Sequence, residues 1–479
     1  MSPGPGNLRP RSWLALTAVL FLGGALFLGG GLSCHRACPV ARDPALVIAL
    51  RMQPNQAARA QALRETLQET FAFAGALPVF PASGTWEPGP RPYLALDLVA
   101  EEREGSLEFR GRWGWIEPRH QVAWQPFELP ALPPRRALEA LAARVDLPLD
   151  RTALDAWLPQ RPEVFWAALD LGPHPASRGR AEALARLEPP SGLLMARHAR
   201  ALRQALWDLP EDGRRLWEEA RDWSARAVAK APESPAALAE WAHHAIHAGE
   251  GRTVLPRLLE IQRRNPRSPD LAYLVSYAAR YAGRLDLATA ALDRQAALDP
   301  RAAALPPSQT ARLYVGDLEG FERGLGGSSG GTWRAYGGLQ RGRLALFRGD
   351  RNGARGHFQR AWEDADSHRT GRDLAGAYLA ALGERPSEAP ALIQGLERQR
   401  RERGLCDGEL VLMMSEAAAL AGDASLAQDL ADQAYTEGFS CSRWFRKNPL
   451  LESLRGSQRW EGLLQRVRER EALVKDLAP

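Results

Sequence analysis

The chain has 479 residues, 25% charged and 45% hydrophobic, a balance that excludes a mostly disordered chain, a collagen-like fibre and a polytopic membrane protein. The length suits about two to four domains. Net charge is +5, yet lysine occurs only at Lys230, Lys447 and Lys475 and every other basic residue is arginine, spread along the chain without the local basic stripe that nucleic acid requires.

The amino-terminal segment comes first. Trp13 to Leu32 carries no charge and is long enough to span a hydrocarbon core of about 30 Å. Gly23, Gly24 and Gly29 to Gly31 weaken it as a helix and keep a signal-peptide reading open. Gly31-Leu32-Ser33-Cys34 is similar to the box at which bacterial lipoproteins are acylated, which makes Cys34 the lipidation candidate. Three readings of residues 1–33 therefore stand: uncleaved anchor, lipoprotein signal and cleaved signal. All three imply export of the rest of the chain, with the amino terminus inside for an anchor.

Residues 44–150 read as a small α/β domain. Ala45 to Leu50 is a short apolar run of the buried-strand kind, and 55–74 has helical spacing at Ala58, Ala62, Leu63, Leu67 and Phe71. Strands are expected at 77–80, 93–99, 106–115 and 121–127, and a helix at 135–145. Glu101-Glu102-Arg103-Glu104 reads as a solvated hairpin turn. Pro130, Pro133 and Pro134 close the sheet region.

From 151 to 470 strand signals fade and a period emerges. Pro232, Pro266 and Pro300 are spaced by 34 residues, and so are Pro235 and Pro269. Glycines in similar contexts recur at Gly213, Gly249, Gly283, Gly349, Gly383 and Gly422, at intervals of 36, 34, 66, 34 and 39. The value 66 fits two units with a degenerate one between. Glycine permits a tight turn between paired helices, and proline marks the unit boundary. The Gly/Ser run at 324–331 is a flexible interruption that replaces the second helix of the degenerate unit or loops out beside it. No Gly-Lys-Ser/Thr comes after it, so it is no phosphate loop.

Gly342, Gly349, Ala354, Phe358 and Ala361 resemble the tetratricopeptide repeat, which places small residues and an aromatic at those relative positions. Gly438-Phe439, Asn448-Pro449-Leu450-Leu451, Leu454-Arg455-Gly456 and Arg459-Trp460 resemble the terminal cap of repeat regions in bacterial winged-helix activators and serine/threonine kinases with tetratricopeptide repeats. In the activators an α/β domain loosely related to the TolB amino-terminal domain precedes the repeats. The resemblance implies a mostly α fold: a tetratricopeptide-like α-solenoid after a small α/β domain and a membrane or signal segment. The family's output domain has no counterpart here, so neither DNA binding nor phosphotransfer carries over.

Four side-chain groups invite chemistry. Cys406 precedes one helix of a hairpin and Cys441 comes after its partner, so the two can bridge the base of that repeat. His243, His244 and His247 cluster on one helix, as ordinary groove or surface histidines or, for His243 and His247 four apart on one face, as ligands of a shared metal. Trp241, Tyr273, Tyr277 and Tyr281 lie on first helices, and the tyrosines form an i, i+4, i+8 stripe: a partner-recognition strip or inter-repeat core. No nucleophile elbow, zincin helix, Walker loop or dinucleotide fingerprint occurs, and no cofactor is implied. The expectation is a membrane-tethered, extracytoplasmic scaffold that binds a protein or peptide through its repeats and is not an enzyme. A sensory accessory acting through a separate transducer, or a subunit of an envelope or polysaccharide enzyme system, are the alternatives.

Overall fold

The computed structural model describes residues 45–52, 57–74, 79–81, 93–116, 124–145, 147, 149–171, 176–187, 189–206, 213–266, 268–299, 303–325, 334–365, 369–383 and 386–478. The segment 13–32 and Cys34 lie outside them, as do Cys38 and most of the Gly/Ser run. Among the described residues no helix is long and apolar enough to cross a membrane.

The first part runs β1 (Ala45–Arg51), α1 (Ala57–Ala74), β2 (Val79–Pro81), β3 (Tyr93–Arg103), β4 (Ser106–Ile116), β5 (Gln125–Leu132) and α2 (Pro134–Arg144). The sheet order is β2-β1-β3-β4-β5, with β1 parallel to both neighbours and the rest antiparallel. β3 alternates as expected: Leu96, Leu98 and Ala100 are buried while Asp97 and Val99 are only half-buried. With Phe109, Leu63, Leu67, Phe71, Leu138 and Leu141 they belong to the core. The β3–β4 turn is two residues long, Glu104 (φ 50°) and Gly105 (φ 78°), the left-handed pair that matches hairpin twist. Two expectations shift here. The acidic stretch is mostly strand rather than turn, with Glu102 paired to Arg59 and Glu101 to Arg103 and Arg110. The last strand starts later than expected and contains Pro130, which an edge strand tolerates because one side of its backbone is unpaired.

After α3 (Arg151–Trp157), α4 (Pro162–Leu169) and α5 (Ala176–Leu187), the chain becomes a series of antiparallel helix hairpins. They are α6/α7 (Gly192–Ala205, Gly213–Lys230), α8/α9 (Pro235–Ala245, Gly251–Arg264), α10/α11 (Pro269–Tyr281, Leu285–Leu298) and α12/α13 (Pro306–Val315, Leu318–Leu325). Next come α14/α15 (Arg334–Phe347, Arg351–Glu363), α16/α17 (Arg369–Leu382, Ala389–Glu402) and α18/α19 (Gly408–Leu420, Ala424–Thr436). α20 (Ser442–Lys447), a short 3-10 turn and α21 (Gln458–Ala472) cap the series.

Local chemistry explains the boundaries. Ser234 and Ser268 cap α8 and α10 through their side chains, and Pro235 and Pro269 occupy the first helical position, where a missing N–H costs nothing. The hairpin glycines Gly249, Gly283, Gly349 and Gly422 all adopt positive φ. Gly213 instead starts α7, and Gly383 is not left-handed. The 66-residue gap is filled by Gly316 (φ 83°), 33 residues from Gly283 and from Gly349. The degenerate unit therefore keeps its second helix, α13, which ends at Leu325, within the first residues of the Gly/Ser run. At Gly342 a Cβ would collide with the Phe358 ring, so the small residue sets the close approach of α14 and α15.

Residues 44–479 form one compact unit, so the sheet region and the array are not separate bodies. Arg197 of α6 donates to the Ala62 carbonyl (3.1 Å), the Thr66 hydroxyl (3.2 Å) and Glu65 (3.2 Å) of α1. The Trp166 indole N–H donates to the Gly105 carbonyl at 2.8 Å, tying α4 to the β-hairpin.

Candidate partner-binding channel

In a helical array the first helices of the hairpins line the concave side. Here that side has an occupant from the same chain. α18 (GELVLMMSEAAAL) is apolar around most of its circumference, and Gly408 through Ala419 are all buried. A helix with no polar face must be surrounded. It packs against α16, α17 and α19 in the adjoining hairpins, but also reaches α10 and α14, far away in sequence.

Two buried carboxylates make those distant contacts. Glu409 receives both Nε and Nη2 of Arg280 at 2.7 Å, and Arg280 Nη1 donates to the Pro307 carbonyl at 2.9 Å. Glu416, fully buried, receives Arg343 at 2.9 and 2.8 Å, the Tyr378 hydroxyl at 2.6 Å and Asn448 Nδ2 at 2.6 Å. Burial alone would lower the two guanidinium pKa values, but the facing carboxylates outweigh it and push both above the ordinary arginine value. Forked pairing of this kind suits a desolvated site because every polar direction is fixed.

The tyrosine stripe splits along its length. Tyr281 is fully buried: its hydroxyl donates to Asp407 Oδ1 at 2.6 Å and accepts from the Glu409 N–H at 3.1 Å. Tyr277 is buried beneath Arg280, 4.4 Å from guanidinium carbon to ring centre. His247 Nδ1 donates to the Cys406 carbonyl at 2.9 Å, since a carbonyl can only accept, and Nε2 lies in hydrogen-bond contact with Tyr277 Oη at 3.2 Å. Tyr277 and Tyr281 are thus core contacts with the start of α18. Tyr273 remains half-buried, stacked on Tyr277 at 5.8 Å and near His243 at 5.7 Å. Trp241 is half-buried under Arg257.

The histidines do not converge. His243 faces Tyr273, His244 is sealed against Trp217 (4.7 Å) with no hydrogen bond to either ring nitrogen, and His247 has both nitrogens engaged. Among the described residues no group of three or more His, Cys, Asp or Glu is placed to hold a metal. Nearby, Glu240 is buried and receives Arg200 (2.8 Å) and Arg203 (3.0 Å); burial would raise its pKa, but the two arginines hold it below the usual carboxylate range.

The expected Cys406–Cys441 bridge is not formed, and both are free thiols. The residue that returns to the start of α18 is Phe439: a Cβ on Gly408 would lie 2.9 Å from Phe439 Cβ. Cys441 passes on to begin α20 and is buried there, which raises its pKa.

Sequence reasoning missed Arg280, Arg343, Glu409 and Glu416. One signal was available: two carboxylates seven residues apart on an otherwise apolar helix. On the amino-terminal first helices Trp241, His243 and Tyr273 are half-buried, and Arg200 lies near Glu65 of α1 (3.7 Å).

Comparison with protein-family models finds no match for this chain, and comparison with curated proteins finds none. Among solved structures, the crystal structure of the APC/C hetero-tetramer Cut9-Hcn1 aligns with TM-score 0.40 and 12% identity over 69% of this chain and 58% of that one. A tetratricopeptide repeat protein from Parabacteroides merdae aligns with TM-score 0.33 and 12% identity, over 57% of this chain and 99% of that one. The P58(IPK) TPR domain aligns with TM-score 0.18 and 12% identity, over 63% and 94%.

Proposed function

We propose that the chain is an exported, membrane-tethered scaffold that binds a protein or peptide partner on its helical hairpins. The observation that carries this reading is the partial exposure of Trp241, His243 and Tyr273 on the amino-terminal first helices, while the start of α18 holds Tyr281 in the core. An aromatic patch with one polar rim suits an extended segment of a partner better than a small polar metabolite. The tether rests on the apolar run Trp13–Leu32, and Cys34 is the acylation candidate just beyond it.

The full chain and a Trp241→Ala/Tyr273→Ala variant, compared by cross-linking and pull-down from envelope extracts, test the binding reading. The expected result is a defined protein captured by the parent and lost in the variant, with unchanged circular dichroism. Consistently empty eluates, or capture indifferent to the substitutions, would sink it. Protease accessibility in intact cells, with mass analysis of the mature amino terminus, tests location and tether separately.

A further inference from the structure

Along α8 and α10, Glu240, His247 and Tyr281 each find a partner within the chain. Glu240 receives Arg200 and Arg203, His247 donates to the Cys406 carbonyl, and the Tyr281 hydroxyl donates to Asp407. Three neighbours do not. Asp270, in the first turn of α10, is exposed, and its carboxylate has no ion pair or hydrogen bond among the described residues. Tyr273 follows three residues later on the same helix face, half-buried, with its ring 5.8 Å from Tyr277 and 5.7 Å from His243 of α8. Among the described residues no hydrogen bond uses the Tyr273 hydroxyl or either ring nitrogen of His243.

These groups share one character: they accept. Burial first and Arg203 second hold His243 neutral, well below the ordinary histidine pKa, so one ring nitrogen keeps its lone pair. The field around Asp270 is negative. Burial raises its pKa, Glu65, Glu240 and Asp299 add to the rise, and Arg200 opposes it. Arg200 is already engaged by Glu240 (2.8 Å) and lies near Glu65 (3.7 Å). An anion is repelled from such a place, and an apolar side chain would strip water from the carboxylate without replacing it. A divalent ion needs several converging oxygen ligands, and among the described residues no group of three acids, histidines or cysteines is placed to supply them. An organic cation meets every feature, because its N–H groups suit the acceptors and its stem suits the ring of Tyr273.

We propose that Asp270, with the Tyr273 hydroxyl and the His243 imidazole beside it, is the docking point for a lysine or arginine side chain of the partner. The inference rests on the binding reading above and adds the chemistry of the segment bound. Specificity comes from the unpaired carboxylate on α10, and the tyrosine and histidine set the direction of approach.

Panning a phage library of random linear peptides on the full chain tests this. The expected result is an enriched family with a fixed Lys or Arg. Its affinity is expected to fall about tenfold or more with Asp270→Asn, or when norleucine replaces the fixed residue. The two changes together are expected to cost no more than either alone. Asp270→Glu is expected to keep most of the affinity. Enrichment without a fixed basic residue overturns the site and leaves the binding reading standing, whereas no enrichment at all overturns both. An acid in the first helical turn also favours its helix. A lower melting temperature of D270N with undiminished peptide affinity would assign Asp270 that role alone and overturn the site.

Discussion

Glu416 concentrates four donors on one buried carboxylate: both arms of Arg343, the Tyr378 hydroxyl and the Asn448 amide. Removing it strands a guanidinium in the interior. Glu416→Ala is expected to cost about 3–5 kcal/mol in denaturant unfolding, whereas the paired change Arg343→Met/Glu416→Leu recovers most of that loss by removing both charges. A single-variant loss below about 1 kcal/mol, the range of an exposed ion pair, would show that the interior is wetter than the geometry states. His244 gives a pH signature. Burial, then Arg203, depresses its folded pKa to about 3. The unfolded chain accepts a proton near pH 6.5 that the folded chain refuses. The stability from this group is therefore complete above pH 6.5 and is lost as pH falls toward 3, by about 1.4 kcal/mol per pH unit. Unfolding curves from pH 8 to 4 check the sign, and His244→Phe is expected to flatten the slope by one proton. The pairings Arg280–Glu409 and Arg343–Glu416 were not legible in the chain, because nothing local links residues that far apart. Pro235 and Pro269 were legible as unit markers because proline geometry acts within a single turn; the serine caps Ser234 and Ser268 before them emerged only with the structure.

Among elements, α18 departs furthest from a simple hairpin array. In such an array the last hairpin can be removed and the earlier ones persist, since each leans only on its neighbours. Here α18 completes the cores of α10 and α14 as well. Truncation after Arg403 is therefore expected to leave helical but loosely packed chain, with normal far-ultraviolet and collapsed near-ultraviolet dichroism and strong binding of a hydrophobic dye. Retained near-ultraviolet signal in the truncated chain would contradict the central position of α18. Its identity as a helix could be read from Asp407, the length of the run and Gly422, but not its place. A period identifies repeats without saying how tightly they coil, and the coil decides whether the concave side stays open. Gly316 escaped the periodic reading for a related reason: its unit has a shortened second helix, so only the turn kept the spacing.

At the scale of the whole molecule, the sheet region, the early hairpins and the late hairpins are joined by buried polar contacts rather than by neighbour stacking alone. Arg197 ties α6 to α1, Arg280 ties α10 to α18, and Ser442 N–H donates to Glu471 at 2.6 Å within the cap. Unfolding is accordingly expected as one calorimetric transition across residues 57–478, with calorimetric and van't Hoff enthalpies in agreement. Hydrogen exchange should then show α18 amides opening only with that global event. Stepwise melting from either end would indicate independent hairpins. The order of strands and helices, the 34-residue period and the carboxyl-terminal cap were all readable from the chain. Closure was not, because it depends on contacts between units the period treats as equivalent.

Gly249 and Gly438 meet at that closure. A Cβ on Gly438 would collide with Gly249 Cα, and both glycines adopt positive φ. The two positions are separated by most of the array, so their meeting fixes how many hairpins lie between them. Families of open repeats diversify by duplicating or losing single units. In this chain one unit more or fewer would turn Gly438 away from Gly249 and pull Glu409 off Arg280. Its descent is therefore constrained to substitution within a fixed copy number, and length variation among related chains is expected outside residues 249–438.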